Sequence, residues 1–125
     1  MNRRDLVALG LASPFLGTAL AQTAPSFPNR HVRLIAFGEP GGPLDILGRV
    51  FAERLSKAWG QPVVVETRPG AGGMIAADFV AKAPADGHTF LFTITHTQLV
   101  LPFLQKTPYD PIKDFQPLTP VGVGG

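Results

Sequence analysis

At 125 residues with a formal charge of +2, the chain has room for one small domain and no more. Its 45% hydrophobic share is that of a globular chain, and the lack of cysteine excludes disulfides, thiolate chemistry and a lipid-modified cysteine. The 14 glycines and 13 prolines fall at element boundaries rather than in a low-complexity tract.

Residues 1–21 read as an export signal. Arg3 and Arg4 form a charged start, Leu6 to Leu20 an apolar stretch too short and too interrupted for a bilayer span, and Ala19-Leu20-Ala21 a small-x-small cleavage site. Cleavage is expected near Ala21, releasing an exported product. Asn2-Arg3-Arg4-Asp5-Leu6 hints at a twin-arginine signal, but Asp5 and Val7 fit that pattern loosely and general secretion fits better. Removing Arg3, Arg4 and Asp5 takes the formal charge from +2 to +1. No basic run or basic–aromatic interleaving survives, so nucleic acid is not an expected partner.

Residues 22–30 form a polar lead-in with Pro25 and Pro28. A strand is predicted over 31–37, ending in a continuous apolar run suited to a sheet covered on both faces. The elbow Gly38-Glu39-Pro40-Gly41-Gly42 follows. Pro43 then suits a first helical position, and Asp45 the first turn, where negative charge meets the positive end of the helix. The helix should run from Pro43 to Trp59, with Leu44, Leu47, Phe51, Leu55 and Ala58 on its inner face. Asp45, Arg49, Glu53 and Lys57 alternate in sign at four-residue spacing. Gly60 stops the helix.

The pattern then repeats. Val63-Val64-Val65-Glu66 reads as a second strand, Arg68-Pro69-Gly70-Ala71-Gly72-Gly73 as a second elbow, and residues 73–82 as a helix apolar on most sides and packed between layers. A third strand is expected over 88–94, with a polar turn at Thr95-His96-Thr97. A short helix is expected over 98–104, an ordered loop over 107–115 and an incipient strand from Leu118. The order β-α-β-α-β implies an α/β fold with a parallel sheet and right-handed crossovers. Ligands of such sheets bind at the carboxyl ends of the strands, so both elbows and Thr93 to Thr97 should meet on one edge.

Glycine elbows before helices leave backbone N–H groups free for an anion, but they also serve as plain β-α turns. Neither elbow has the Lys-Ser/Thr ending of a phosphate loop or a full G-x-G-x-x-G, although Glu66 stands about where a ribose contact would in a nucleotide-dependent enzyme. Asp45 serves either a ligand's water shell or its own helix; Arg49 suits an ion pair with Asp45 or Glu53 better than a ligand clamp. Arg68 suits either the cleft or an exposed loop. His31, His88 and His96 lack metal-ligand spacing, and no cofactor is implied. His96 alone falls on the binding edge. Ser26 and Ser56 are the only serines beyond the signal and neither forms a nucleophile elbow, so no enzyme activity is expected.

Three segments carry a resemblance: PGGPLDILGR (40–49), GQPVVVETRPGAGGMIAADFVAKAPADGHT (60–89) and TPYDPIKDF (107–115). In this order and spacing they resemble the extracytoplasmic solute receptors of the tripartite tricarboxylate transporter family, the Bug proteins, over residues 27–121. The resemblance implies a periplasmic-binding-protein-like (type II) first lobe with a mainly parallel sheet, incomplete, over residues 31–125. It implies a receptor that binds a small carboxylate at an interlobe cleft and delivers it to membrane subunits, as a monomer when full length. Family ligand positions carry over to Pro40, Gly41, Gly42 and Asp45, to Gly70, Ala71, Gly72 and Gly73, and to Thr93, Thr95 and Thr97. Leu44 stands where the family usually carries a hydroxyl, and Glu39 where a proline or small residue is common; both bear on ligand choice. Family members are more than twice as long, so the chain is expected to be an amino-terminal fragment. The alternative is a truncated remnant, a sensor or interaction half-domain without ligand binding of its own.

Overall fold

The computed structural model describes residues 26–122. Residues 1–21, expected to be an export signal, the start of the lead-in and the last three residues lie outside them. Three strands form one sheet: β1 (Val32–Ala36), β2 (Val63–Thr67) and β3 (Thr89–Phe92). The order is β2-β1-β3, with both pairings parallel. α1 (Pro43–Trp59) joins β1 to β2, and α2 (Met74–Lys82) carries the chain from β2 back across to β3. α3 (Leu101–Leu104) follows a wide π-type turn over His96–Val100. This is the expected α/β unit with a small parallel sheet.

β1 is central, and its alternation divides the core. Leu34 faces α1, because a Cβ on Gly48 of that helix would lie 3.5 Å from Val65, 3.7 Å from Phe92 and 3.8 Å from Leu34. Arg33 faces α2, its guanidinium 4.9 Å from the centre of the Phe79 ring. The two helices therefore cover opposite faces, as two crossovers of one hand running in opposite directions require. Val32, Ile35 and Ala36 are fully buried between them.

α1 begins and ends at the predicted residues. Pro43 opens it, and Gly60 closes it in the left-handed conformation at φ 67° with its N–H on the Ser56 carbonyl. Its inner face differs from the predicted stripe. Asp45, Gly48 and Ala52 are buried, while Leu47 is 48% exposed and Ala58 is exposed. Small residues let the helix lie close to the sheet, which moves the seam one position away from Leu47.

Other boundaries are corrected. β1 and β3 are shorter than predicted, because their flanking residues leave the ladder for the loops. α2 starts at Met74 after a tight 3-10 turn over Ala71–Gly73. It is covered on one side only: Ala76 and Ala77 are buried while Ile75 is half exposed. The 98–104 helix is replaced by the π-type turn and the single turn of α3. Residues 116–122 form no strand. At the opposite end of the sheet, Phe27 packs edge-on against Trp59 and His88, and Trp59 also lies against Phe90. No helix of the described residues is long and apolar enough to cross a membrane.

Candidate functional site

The three loops at the carboxyl edge leave the sheet along one line. Phe37 N–H donates to the Phe92 carbonyl (3.2 Å) and Arg68 N–H to the Ala36 carbonyl (3.0 Å), so each loop starts from a fixed backbone position.

The first loop closes on itself. Gly42 N–H donates to the Glu39 carbonyl at 3.0 Å, and Gly41, at φ 81°, donates its N–H to Asp45 Oδ2 at 2.8 Å. Asp45 Oδ1 lies 3.0 Å from Arg49 Nε. The Gly41 N–H first, and Arg49 second, hold the Asp45 carboxyl below the usual carboxylate range. Asp45 is buried and ties helix to elbow, and Arg49 is its ion-pair partner. Pro40 and Glu39 are exposed at the tip.

The second loop is the more unusual. Gly70, Ala71, Gly72 and Gly73 have φ of 118°, 50°, 64° and 96°, four consecutive residues in the region that disfavours side chains. Ala71 is the one non-glycine among the described residues with positive φ. Gly73 N–H donates to the Gly70 carbonyl at 3.1 Å. The N–H groups of Ala71 and Gly72 open a helical turn and so have no partner within it. Arg68, just before, stacks on the Phe79 ring at 3.6 Å and lies 3.6 Å from Glu66. Glu66 in turn takes two 2.8 Å hydrogen bonds from Arg33, which chiefly depress its carboxyl pKa. A groove of about 290 Å³ runs from Arg68 along Met74 and Phe79 to Pro108.

The third loop brings Thr93, Thr95 and Thr97 to the same edge in different states. Thr95 and His96 are exposed. Thr93 Oγ1 is buried without a hydrogen-bond partner. Thr97 is fully buried and donates its hydroxyl to the Gly72 carbonyl at 2.8 Å. A Cβ on Gly73 would lie 2.4 Å from that hydroxyl and 3.1 Å from Phe37 Cγ, so all three loops touch at this glycine.

The edge therefore presents backbone donors. The two arginines beside it are engaged with Asp45 and with Glu66 and Phe79. Among the described residues, no group of three or more His, Cys, Asp or Glu side chains is placed to hold a metal. Sequence reasoning missed Tyr109, whose buried hydroxyl donates to the Thr97 carbonyl at 2.8 Å. A lone tyrosine between Pro108 and Asp110 was the available signal.

A parallel sheet whose glycine elbows converge at its carboxyl edge is the arrangement in which open α/β folds place their ligands. The model of the tripartite tricarboxylate transporter family receptors, TctC, matches residues 47–123, and the chain belongs to that family. A UPF0065 protein of Bordetella bronchiseptica is 43% identical over 116 residues, which is 92% of this chain and 33% of the relative. The solved structure of a periplasmic transporter is 44% identical, with a TM-score of 0.70 over 75% of this chain and 32% of that one. MatC of Rhodopseudomonas palustris, solved with bound malate, is 36% identical, with a TM-score of 0.61 over 73% of this chain and 31% of that one. The chain spans about a third of the length of the curated relatives it matches.

Proposed function

We propose that the chain forms part of the first lobe of a periplasmic receptor for a small organic carboxylate, which it delivers to the membrane subunits of a tripartite tricarboxylate-type transporter. Residues 31–125 belong to that lobe and residues 1–21 export it. The ligand carboxylate sits on the carboxyl edge, between the Pro40–Gly42 elbow, the Gly70–Gly73 elbow and Thr93 to Thr95. The run of four consecutive positive-φ residues is the observation that carries this reading. Ala71, a non-glycine residue held at φ 50° among them, costs stability that a binding role accounts for. Backbone N–H groups hold the anion without a fixed cation. The malate bound in MatC supports the ligand class.

The test is a titration of the isotope-labelled chain with L-malate and with benzoate, following amide resonances. Saturable shifts confined to residues 38–45, 70–73 and 93–97 are expected. No shift at these amides at roughly 10 mM, where an interaction worth about 2.7 kcal/mol already registers, would sink the proposal.

A further inference from the structure

The Gly70–Gly73 elbow is joined to a segment far downstream by two hydroxyl groups in series. Thr97 Oγ1 donates to the Gly72 carbonyl at 2.8 Å, and the Tyr109 hydroxyl donates to the Thr97 carbonyl at 2.8 Å. Each hydroxyl has a single proton to give, and each gives it here. Thr97 is fully buried and Tyr109 only 5% exposed, so water does not offer these groups an equivalent partner.

The contact is also steric. The Thr97 hydroxyl lies where a Gly73 side chain would stand, 2.4 Å from its ideal Cβ position, and Thr97 Cγ2 is 2.9 Å from the same point. The backbone of the elbow and the placement of Thr97 thus specify one another.

Behind Thr97, segment 107–115 has no regular secondary structure but is tied by its own hydrogen bonds. Asp110 Oδ1 accepts from Ile112 N–H (2.9 Å) and Lys113 N–H (3.0 Å). Asp114 Oδ2 accepts from Asp110 N–H (2.7 Å), and Asp114 N–H donates to the Asp110 carbonyl (3.0 Å). Thr107 Oγ1 donates to the Tyr109 carbonyl (2.8 Å), and the Phe115 ring meets Tyr109 edge-on at 5.7 Å. Thr107 thus holds the Tyr109 backbone and Phe115 its ring, while the phenol hydroxyl donates toward the binding edge.

We propose that Thr97 and Tyr109 are positioning residues that hold the Gly70–Gly73 elbow in its positive-φ conformation. Segment 107–115 thereby governs carboxylate binding at the elbow without touching the ligand, a consequence that rests on the function proposed above. Thr97 was carried over as a ligand contact; here its hydroxyl acts on the elbow instead.

Three variants of the whole chain test this: Tyr109→Phe, Thr97→Val and Thr97→Ser. Amide hydrogen exchange at Gly73, whose N–H is bonded to the Gly70 carbonyl, reports the elbow directly. Affinity is read with the better bound of L-malate and benzoate. Tyr109→Phe and Thr97→Val are expected to speed Gly73 exchange and weaken binding, each by roughly 2- to 10-fold, the size of one net hydrogen bond. Amides of β1 should keep their protection, and Thr97→Ser should keep both readouts near wild type. Unchanged Gly73 exchange in the first two variants would overturn the proposal. So would acceleration in step with β1, which is a loss of global stability alone. If neither carboxylate binds the wild-type chain, the function proposed above fails, and Gly73 exchange still decides the role of the hydroxyls.

Discussion

Replacing Gly73 by alanine puts the arrangement of the three loops to its hardest test. The new Cβ would stand 2.4 Å from Thr97 Oγ1, 2.9 Å from Thr97 Cγ2 and 3.1 Å from Phe37 Cγ, and neither neighbour is the free end of a long side chain. Three costs combine. An L-residue in the left-handed region costs about 1–2 kcal/mol. Overpacking a buried contact costs about 1–3 kcal/mol. Displacing Thr97 costs the net value of its hydrogen bond to Gly72, about 1 kcal/mol. A total of about 3–6 kcal/mol is a large part of the roughly 5–15 kcal/mol that holds a domain together. Urea unfolding followed by far-ultraviolet circular dichroism measures it. The double variant Gly73→Ala with Thr97→Ala separates the terms: it removes most of the steric cost and should recover about 1–3 kcal/mol relative to Gly73→Ala alone. A Gly73→Ala midpoint within about 1 kcal/mol of wild type would refute the packing described here.

Gly48→Ala should go the other way. A Cβ there meets Val65, Phe92 and Leu34 at ordinary contact distance, and alanine is the better helix former, so a gain of about 0.5–1 kcal/mol in thermal melts is expected. Gly48→Leu should lose stability in the same assay, since α1 would have to move off the sheet. Asp45 gives a pH dependence. Its folded pKa lies below the unfolded value near 3.8, so the ionised carboxylate adds stability above that value and the contribution is lost as pH falls through the folded pKa. Urea melts at pH 7 and at about pH 3 should therefore show wild type losing more than Asp45→Asn, which lacks that contribution at both. Arg68→Lys should destabilise the elbow although the charge is kept, because an ammonium group does not stack on Phe79 as the planar guanidinium does. Faster Gly73 amide exchange in that variant is the readout.

What the sequence revealed depended on whether the signal was local. α1 was legible to the residue because Pro43 and Gly60 act on their own backbone. β1 was legible from its continuous apolar run, β2 from its β-branched run, and the parallel order from the alternation of elements. The inner face of α1 was not. Hydropathy ranks Leu47 above Asp45 and Gly48, but a carboxylate that caps its own elbow and a glycine that admits the sheet make the closer seam. The elbows were visible as glycine clusters, whereas the left-handed Ala71 has no mark in composition. Thr95 and Thr97 look equivalent on paper and differ in the fold, one exposed and one buried, because the Gly72 carbonyl and the Tyr109 hydroxyl both lie on the side of Thr97. Such pairings over 12 and 25 residues leave no periodic trace.

Trp59 ends α1, a helix of 17 residues and so about 26 Å long, and it packs with Phe27 and Phe90 at the amino end of the sheet. The chain has no other tryptophan. Intrinsic emission is thus a reporter of the aromatic cluster at the far pole and follows unfolding of the sheet. It should stay silent when an anion docks at the elbows. An optical signal for occupancy needs an indole placed at the opposite pole, and the exposed His96 is the natural position to receive one.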